Sequence, residues 1–295
     1  MIAALLLCFF GQAKENGVEL IRNVEYGRVG EEPLLLDIYR NKLSASKRPA
    51  VVFIHGGGWE GGSKDKPPSL VTDLARAGFV SISINYRLLP KHKWPAQIHD
   101  CKTAIRWLRL SGGQYGIDEN KIGVWGVSAG GHLAALLGTS GGVWELEGLP
   151  DNVRAPSSAV QAVVDMFGPI DLVKLVNLRK QRMAANLKVD NAMRSGLSPE
   201  EKLIGGSVIE RAAVAKQASP LTYVTKDDPP FLIIHGEDDF TVFPDQSLML
   251  ESALKKAGVP VTFKLVRGMG HNLKNPEITG WVIDFFNRTL KGEER

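Results

Sequence analysis

Short apolar runs alternate with helical segments along most of this chain. Each run ends in glycine or polar residues, which is typical of strands buried on both faces of a sheet. Helical patterns occupy residues 69–77 and 95–111 and separate most of the runs, which predicts an α/β fold with a mainly parallel sheet and helices on both faces. The predicted strands are an opening pair at 18–25 and 34–39, joined by a turn at 27–33, followed by 50–54, 79–84, 121–125, 160–166, 231–235 and 261–266.

A long interruption separates the strand that ends at Met166 from the one that begins at Phe231. Connections of this length without a strand are usually functional. Residues 172–216 hold nine Lys/Arg and four Asp/Glu, a net charge of +5. The segment is therefore predicted to be a small helical cap at about 172–217, lying over the ends of the strands. Its apolar positions at helical spacing are Leu172, Leu175, Val176, Met183 and Leu187.

The first residues form a separate segment at 1–15. An apolar run at 2–10 precedes Gly11-Gln12-Ala13, a small-x-small pattern like a signal-peptidase site, although a basic start is missing. A signal peptide would make the protein secreted or periplasmic, whereas an N-terminal arm packed on the body would leave it cytoplasmic. The run is too short to span a bilayer as a helix, so no stable membrane insertion is expected. Residues 16–295 are predicted to form a single domain.

Composition excludes several classes of protein. The chain has 295 residues, of which 44 % are apolar and 23 % charged, values of a folded soluble protein rather than a disordered or coiled-coil one. A net charge of +4 is too small to indicate nucleic-acid binding. Two cysteines, Cys8 and Cys101, exclude a disulfide-rich scaffold and a cysteine-based zinc site. No cofactor or metal is expected, and the oligomeric state is not determined by the sequence.

A glycine-rich motif surrounds Ser128 in the segment Gly126-Val-Ser-Ala-Gly-Gly131. It directly follows a predicted strand and begins a helical run. In this context the small residues permit a sharp strand-to-helix turn that holds the serine hydroxyl exposed. Ser128 is therefore the candidate nucleophile; the alternative is an ordinary tight turn that needs glycine.

A second glycine run, His55-Gly-Gly-Gly-Trp59, follows another buried strand. Backbone N–H groups in such a run can point into a cleft without obstruction by side chains. A phosphate loop would need Gly-Lys-Ser/Thr, which is absent. The run is interpreted as an oxyanion hole formed by the N–H groups of Gly57 and Gly58 together with that of Ala129.

A serine hydroxyl needs an adjacent imidazole to accept its proton. Of the six histidines, His271 lies in a glycine loop between the last strand and the final helix, at the edge of the sheet where the serine is expected. The orienting acid should come from Glu237, Asp238 or Asp239, after the preceding strand. A metal site formed by His235 and these three carboxylates is the rival interpretation of that cluster.

Four segments together resemble a known family. HGGGW (55–59), YRLLPKHKWPAQIHD (86–100), KIGVWGVSAGGHLAALLG (121–138) and HGEDDFTV (235–242) are similar to the α/β-hydrolase carboxylesterases of the hormone-sensitive-lipase type. VVDMFGPIDL (163–172) and ASPLTYVTKDDPPFLIIHG (218–236) bring the chain closer to bacterial bifunctional feruloyl and acetyl-xylan esterases. The resemblance covers nearly everything after residue 18, and the cap matches least well. Phe243-Pro244 and Asn272 depart from the family pattern near the pocket rim.

The resemblance implies a catalytic triad of Ser128, His271 and Asp239, the last in the acid position of the HGxxD motif. It also implies hydrolysis of acetyl and feruloyl esters, with acetylated or feruloylated xylan as substrate. Trp59, beside the oxyanion hole, is expected either to line the substrate pocket or to serve as a packing residue. The basic cap is either a solvated surface or a site that favours acidic polysaccharides.

Three other functions share parts of this pattern. A general lipolytic esterase would use the same triad on longer acyl chains. A prolyl-oligopeptidase-like peptidase shares the catalytic domain, but this chain has no room for the propeller that restricts access to such sites. A binding protein built on a hydrolase fold would normally lack one member of the triad, and all three candidates are present here.

Overall fold

A computed structural model of the protein describes residues 13–15, 17–41, 46–149, 154–190 and 196–293. Within these ranges nine strands form one sheet in the order β1-β2-β3-β5-β4-β6-β7-β8-β9. The pairs from β1 to β5 are antiparallel and those from β5 to β9 parallel, so the prediction of a mainly parallel α/β sheet is confirmed. The strands are β1 Ala13–Glu15, β2 Val18–Val29, β3 Glu32–Asn41, β4 Arg48–Ile54, β5 Val80–Ile84, β6 Ile117–Val127, β7 Ala162–Met166, β8 Phe231–Gly236 and β9 Val261–Val266.

The opening hairpin is longer than its apolar pattern indicated. Strands β2 and β3 continue to a turn at Gly30 and Glu31, so the predicted turn at 27–33 is wrong. Two irregularities in the register, after Ile21 and after Glu25, bend the ladder and let pairing continue, with Gly27 opposite Leu34. Alternation of side chains is interrupted at such bulges, which explains why the periodicity ended the strand early.

Helices cover both faces of the sheet and bury a separate apolar core on each. Helices α2, α3 and α7 pack on one face, where Ile98, Leu133 and Leu250 are fully buried. Helices α1 and α8 pack on the other face through Leu74 and Val282. The helices are α1 Leu70–Arg76, α2 Ala96–Ser111, α3 Ala129–Thr139, α4 Leu172–Ala184, α5 Pro199–Ile204, α6 Ala212–Gln217, α7 Asp245–Ala257 and α8 Glu277–Phe286.

Helices α4, α5 and α6 fall within the predicted cap segment at 172–217. Leu172, Leu175 and Val176 are buried, as their helical spacing indicates, and Leu175 packs against Val242 and Phe243 after β8. Leu187 is 50 % exposed because α4 ends three residues before it. Burial of one face of α4 therefore places the cap on the segment that follows β8.

The predicted signal peptide or arm at 1–15 lies outside the described residues, apart from Ala13–Glu15, which form the edge strand β1. Its role in export stays a prediction. Among the described ranges, every helix is too short or too polar to span a bilayer. Cys101 is buried with a free thiol in α2.

Close packing at the turn between β6 and α3 predicts a large effect for Gly130→Ala. A Cβ on Gly130 would overlap the carbonyl oxygen of Ile54 in β4, a backbone atom that cannot rotate away. We expect the free energy of unfolding to fall by about 3 kcal/mol or more, measured by urea denaturation. Gly280→Ala in α8 is the control, because nothing lies within 4 Å of its Cβ position. That change should raise stability by about 0.5–1 kcal/mol, and equal stabilities of the two variants would contradict the expectation.

Candidate active site

Ser128 occupies the sharp turn between β6 and α3. Its backbone has φ 55° and ψ −122°, a conformation that costs free energy for a residue with a side chain. The N–H of Ser128 donates to the carbonyl of Met166 at the end of β7, at 2.9 Å, which holds the turn against the sheet. The strained turn projects the hydroxyl toward the carboxyl edge of the sheet, as the glycine motif predicts.

His271 lies in the loop after β9, and its ring bridges the serine and the acid. Its Nε2 is 2.9 Å from the Ser128 hydroxyl oxygen, and its Nδ1 is 2.6 Å from Asp239 Oδ2. Since an ionised carboxylate only accepts hydrogen bonds, Nδ1 carries the proton and donates it to Asp239. Nε2 is then free to accept from the serine hydroxyl, the arrangement required of a general base.

Asp239 is fully buried at the end of the β8 loop. Its Oδ1 accepts from the backbone N–H groups of Thr241 at 2.9 Å and Val242 at 3.0 Å. Burial by itself raises the pKa of this carboxyl, but hydrogen bonds and charge from His235 and His271 outweigh burial and lower the pKa to about 2. Asp239 therefore stays ionised wherever the protein is folded at ordinary pH.

The other two acids of this loop do not reach the imidazole. Glu237 and Asp238 are both exposed. His235 is fully buried behind Asp239: its Nε2 donates to the carbonyl of Val242 at 2.9 Å, and its Nδ1 accepts from Ser247 at 2.7 Å. Its ring nitrogens are thus engaged in packing the loop. Within the described residues no group of three or more His, Cys, Asp or Glu is placed to hold a metal ion.

The remaining histidines lie elsewhere. His55 is stacked on Tyr86, and His132 is buried with Nε2 donating to the carbonyl of Ala218 at 2.6 Å. Burial lowers the pKa of His132 to about 4, so this ring is neutral. His92 contacts Glu32 on the surface, and His99 lies in α2. None of these four has a hydrogen bond to Ser128 in the described part of the chain.

Gly57, Gly58 and Ala129, whose backbone N–H groups are the predicted oxyanion donors, line the same cavity as Ser128 and His271. Among the described residues these three groups donate no hydrogen bond. Gly57 has φ +110°, and a Cβ there would lie 2.5 Å from the carbonyl oxygen of Gly61, so only glycine fits. N–H groups without a protein acceptor beside the same cavity can stabilise negative charge on an oxygen bound there.

Trp59 lies in the cavity wall with 1 % of its surface exposed. Its ring meets His132 edge-on, with centroids 5.1 Å apart. Its burial is that of a packing residue, and contact with a substrate stays a prediction.

Phe167 is a site residue that the sequence reasoning missed. Its ring centroid lies 4.7 Å from that of His271, and its backbone has φ 46°, in the left-handed region. Phe167 directly follows β7, and residues after parallel strands gather at one edge of the sheet, so its position was a usable signal. The two rings are tilted by 59°, so Phe167 packs against the imidazole without stacking on it.

Arg179 of α4 and Glu200 of α5 also line the cavity and were missed. They form a bidentate ion pair at 2.8 and 3.2 Å, and each is only 2 % exposed. Arg179 also donates a hydrogen bond to the carbonyl oxygen of Thr241, at 3.1 Å. The backbone N–H of Thr241 in turn donates to Asp239. The pair thus connects the cap to the loop that holds Asp239. An ion pair between residues on two different helices leaves no recognisable pattern in the sequence of either helix.

Arg179→Met is expected to lower the free energy of unfolding by about 3 kcal/mol, because it leaves the carboxylate of Glu200 buried without a partner. Lys202→Met is the matched control: it breaks the exposed ion pair of α5 with Glu60, at 3.0 Å, and should cost under about 1 kcal/mol. Urea denaturation measures both. Adding Glu200→Leu to Arg179→Met should restore most of the loss; no recovery would contradict this account.

The cavity has a volume of about 390 Å³, at the small end of the range for ligand pockets. Cap residues Arg179, Pro199 and Glu200 form one side, and the glycine loop at 56–58 forms the other. Asn272, a departure from the family pattern, lies in the lining beside His271. The site therefore accepts a small group next to the serine hydroxyl.

The chain is similar in sequence to known esterases. The BD-FAE family model matches residues 36–254. Esterase LipC of Mycobacterium tuberculosis is 33 % identical over 247 residues, which cover 82 % of this chain and 58 % of LipC. The chain spans about half the length of the curated relatives it matches.

Two solved structures extend the comparison. A truncated carbohydrate esterase from gut microbiota superposes with a TM-score of 0.82 at 34 % identity, covering 95 % of this chain and 100 % of that one. An acetyl ester-xyloside bifunctional hydrolase from Caldicellulosiruptor lactoaceticus gives a TM-score of 0.69 at 26 % identity, covering 89 % and 88 %.

Proposed function

Because the chain belongs to the BD-FAE family, within the hormone-sensitive-lipase type of α/β-hydrolase esterases, we propose that it is a serine carboxylesterase. Its substrates are short acyl esters, with acetyl groups first and feruloyl groups second, carried on plant cell-wall xylan. The observation that carries the proposal is the hydrogen-bonded chain from Ser128 through His271 to Asp239.

The first half of the reaction forms an acyl-enzyme. Ser128 Oγ attacks the ester carbonyl carbon while its proton passes to His271 Nε2. Asp239 accepts the hydrogen bond from Nδ1 and stabilises the positive ring. The carbonyl oxygen gains the negative charge, next to the free N–H groups of Gly57, Gly58 and Ala129. Each such donor is worth about 3–4 kcal/mol to the transition state.

The second half releases the acid. The tetrahedral intermediate collapses, the carbon–oxygen bond to the alcohol breaks, and the alcohol leaves with the proton from His271. A water molecule then gives its proton to Nε2 and attacks the acyl-enzyme, and Ser128 is regenerated by the same steps. No external oxidant, metal or cofactor enters this sequence.

Two observations support the choice of acyl group and alcohol. A cavity of about 390 Å³ suits a short acyl group better than a long fatty chain. Relatives described as a carbohydrate esterase and as an acetyl ester-xyloside bifunctional hydrolase support a sugar alcohol. A cell-wall polymer lies outside the cell, so the proposal includes export through the signal peptide predicted at 1–15.

A hydrolysis panel tests the proposal: p-nitrophenyl esters from acetate to octanoate, methyl ferulate and acetylated xylan. We expect the highest kcat/KM on acetate, measurable release of acetate from xylan and slower release of ferulate. Preference for octanoate would replace the xylan esterase by a general lipolytic esterase. Cleavage of a prolyl peptide without ester hydrolysis would replace it by a peptidase.

A further inference from the structure

A second and larger cavity lies outside the catalytic pocket. Its volume is about 770 Å³, against about 390 Å³ at Ser128, and the two linings share no residue. It is bounded by the segment before α2, by residues 143–146 and by α6. We call it the cap groove, and its charged and aromatic lining residues are Lys93, Trp94, Glu145, Arg211, Lys216 and Tyr223.

Helix α5 separates the cap groove from the catalytic pocket. Pro199 and Glu200 at its start line the pocket, whereas Ile204 and Gly205 at its end line the groove. At 1.5 Å of rise per residue, the four steps from Glu200 to Ile204 correspond to about 6 Å. The two linings therefore approach each other along α5 to within about one helical turn.

Three cations without an ion pair to a described residue line the cap groove. Elsewhere in the cap, carboxylates lie 2.8–3.1 Å from Arg179, Lys180 and Lys202. Arg182 and Lys188 lie over the rings of Phe243 and Phe240 instead. Lys93, Arg211 and Lys216 form no ion pair with any described residue. The lining holds one acid, Glu145, which is exposed and also forms no ion pair within the described ranges. The groove therefore presents a net positive charge to its ligand.

Two aromatic side chains supply flat apolar surface beside these charges. Trp94 and Tyr223 are half-buried in the lining, and Tyr223 is fixed by its hydroxyl, which donates to the carbonyl of Gln217 at 2.9 Å. Aromatic rings with one wet edge bind the apolar faces of amphipathic ligands. Arginine and lysine in the same groove bind carboxylates through charge-assisted hydrogen bonds.

We propose that the cap groove binds an oligosaccharide that carries uronic-acid carboxylates, with Trp94 and Tyr223 against sugar faces and Arg211 and Lys216 on the carboxylate. The choice of a xylan backbone rests on the proposed function, whereas the carboxylate follows from the charge of the groove. The groove thereby selects acidic stretches of the polymer and holds them near the catalytic pocket.

Isothermal titration of the Ser128→Ala protein tests the proposal without turnover. The probes are xylotetraose bearing one glucuronic acid and unsubstituted xylotetraose, neither of which contains an ester. We expect the acidic probe to bind about 5- to 10-fold more tightly at low salt, with the difference shrinking as salt screens the charges. Equal affinities, or a difference that salt leaves unchanged, would overturn the proposal.

Substitutions locate the binding in the groove. The double change Arg211→Gln with Lys216→Gln, both exposed positions, should weaken the acidic probe about 5- to 10-fold. Glu145→Gln should strengthen it about 2-fold, because the one opposing charge is removed. Lys256→Gln, an exposed cation on α7, is the control and should change nothing. Unchanged affinity in the double variant would overturn the proposal.

Kinetics separate this site from the catalytic one. In an otherwise wild-type protein, Arg211→Gln with Lys216→Gln should leave kcat and KM for p-nitrophenyl acetate unchanged and raise KM for acidic acetylated xylan. Binding of the acidic probe by a protein that hydrolyses no ester would refute the proposed function and leave the groove proposal intact. Ester hydrolysis without selective binding of the acidic probe would refute the groove proposal and leave the proposed function intact.

Discussion

Ser128→Ala is expected to lower kcat on p-nitrophenyl acetate by at least about 10⁴-fold. The hydroxyl that attacks the carbonyl is removed, while the oxyanion N–H groups and the binding pocket remain. KM should therefore change little. Steady-state kinetics on the purified protein, with circular dichroism to check folding, measure the effect.

The double variant of Ser128→Ala with His271→Ala makes this prediction sharper. Residues that act as one unit are non-additive, so the double variant should be no slower than Ser128→Ala within about 3-fold. Full additivity of the two losses would mean that Ser128 and His271 act independently, which contradicts the 2.9 Å hydrogen bond between them as the basis of catalysis. Retained activity in Ser128→Ala would refute the triad itself.

Asp239→Asn is expected to lower kcat by about 10⁴-fold. An amide in place of the carboxylate can donate a hydrogen bond to Nδ1 and so favours the ring tautomer with its proton on Nε2. That tautomer cannot accept the proton of Ser128. Asp238→Asn is the matched control: this neighbouring acid is exposed, and its loss should change kcat less than 3-fold, about the scatter of a surface substitution.

The stability difference between wild type and Asp239→Asn is expected to depend on pH. The pKa of Asp239 is lowered from its ordinary value to about 2, so its ionised form stabilises the folded state by about 2 kcal/mol at neutral pH. This stability is complete above the ordinary pKa near 4 and is lost as pH falls through about 2. Urea denaturation should show wild type above Asp239→Asn at pH 7, with the gap closing between about pH 5 and pH 2. A gap independent of pH would contradict the assignment.

The local parts of the site were predictable from short stretches of sequence. The turn at Ser128 and the glycine loop at Gly57 depend on steric rules that act over a few residues, so the motifs alone predict their shape. His271 followed from its place after the last strand, because the carboxyl ends of parallel strands meet at one edge.

Which of the three neighbouring acids contacts His271 could not be predicted from short stretches of sequence. Residue types alone left Glu237, Asp238 and Asp239 open, and only the resemblance to a family favoured the last. In the structure Asp239 turns inward because the N–H groups of Thr241 and Val242 bond its Oδ1. Its two neighbours remain in solvent. Which carboxylate turns inward is decided by a loop conformation that no spacing rule encodes.

By itself, the sequence determined the alternation of strands and helices, the strained serine turn and the glycine loop at 56–58, since each depends on contacts within a few residues. Only the tertiary structure decided the inward acid, the ring of Phe167 on His271, the Arg179–Glu200 pair and the positive cap groove. These depend on contacts through space, as between Ser128 and His271, which are 143 positions apart. Folding brings such residues together through the packing of the whole sheet, and no local pattern of residues records that packing.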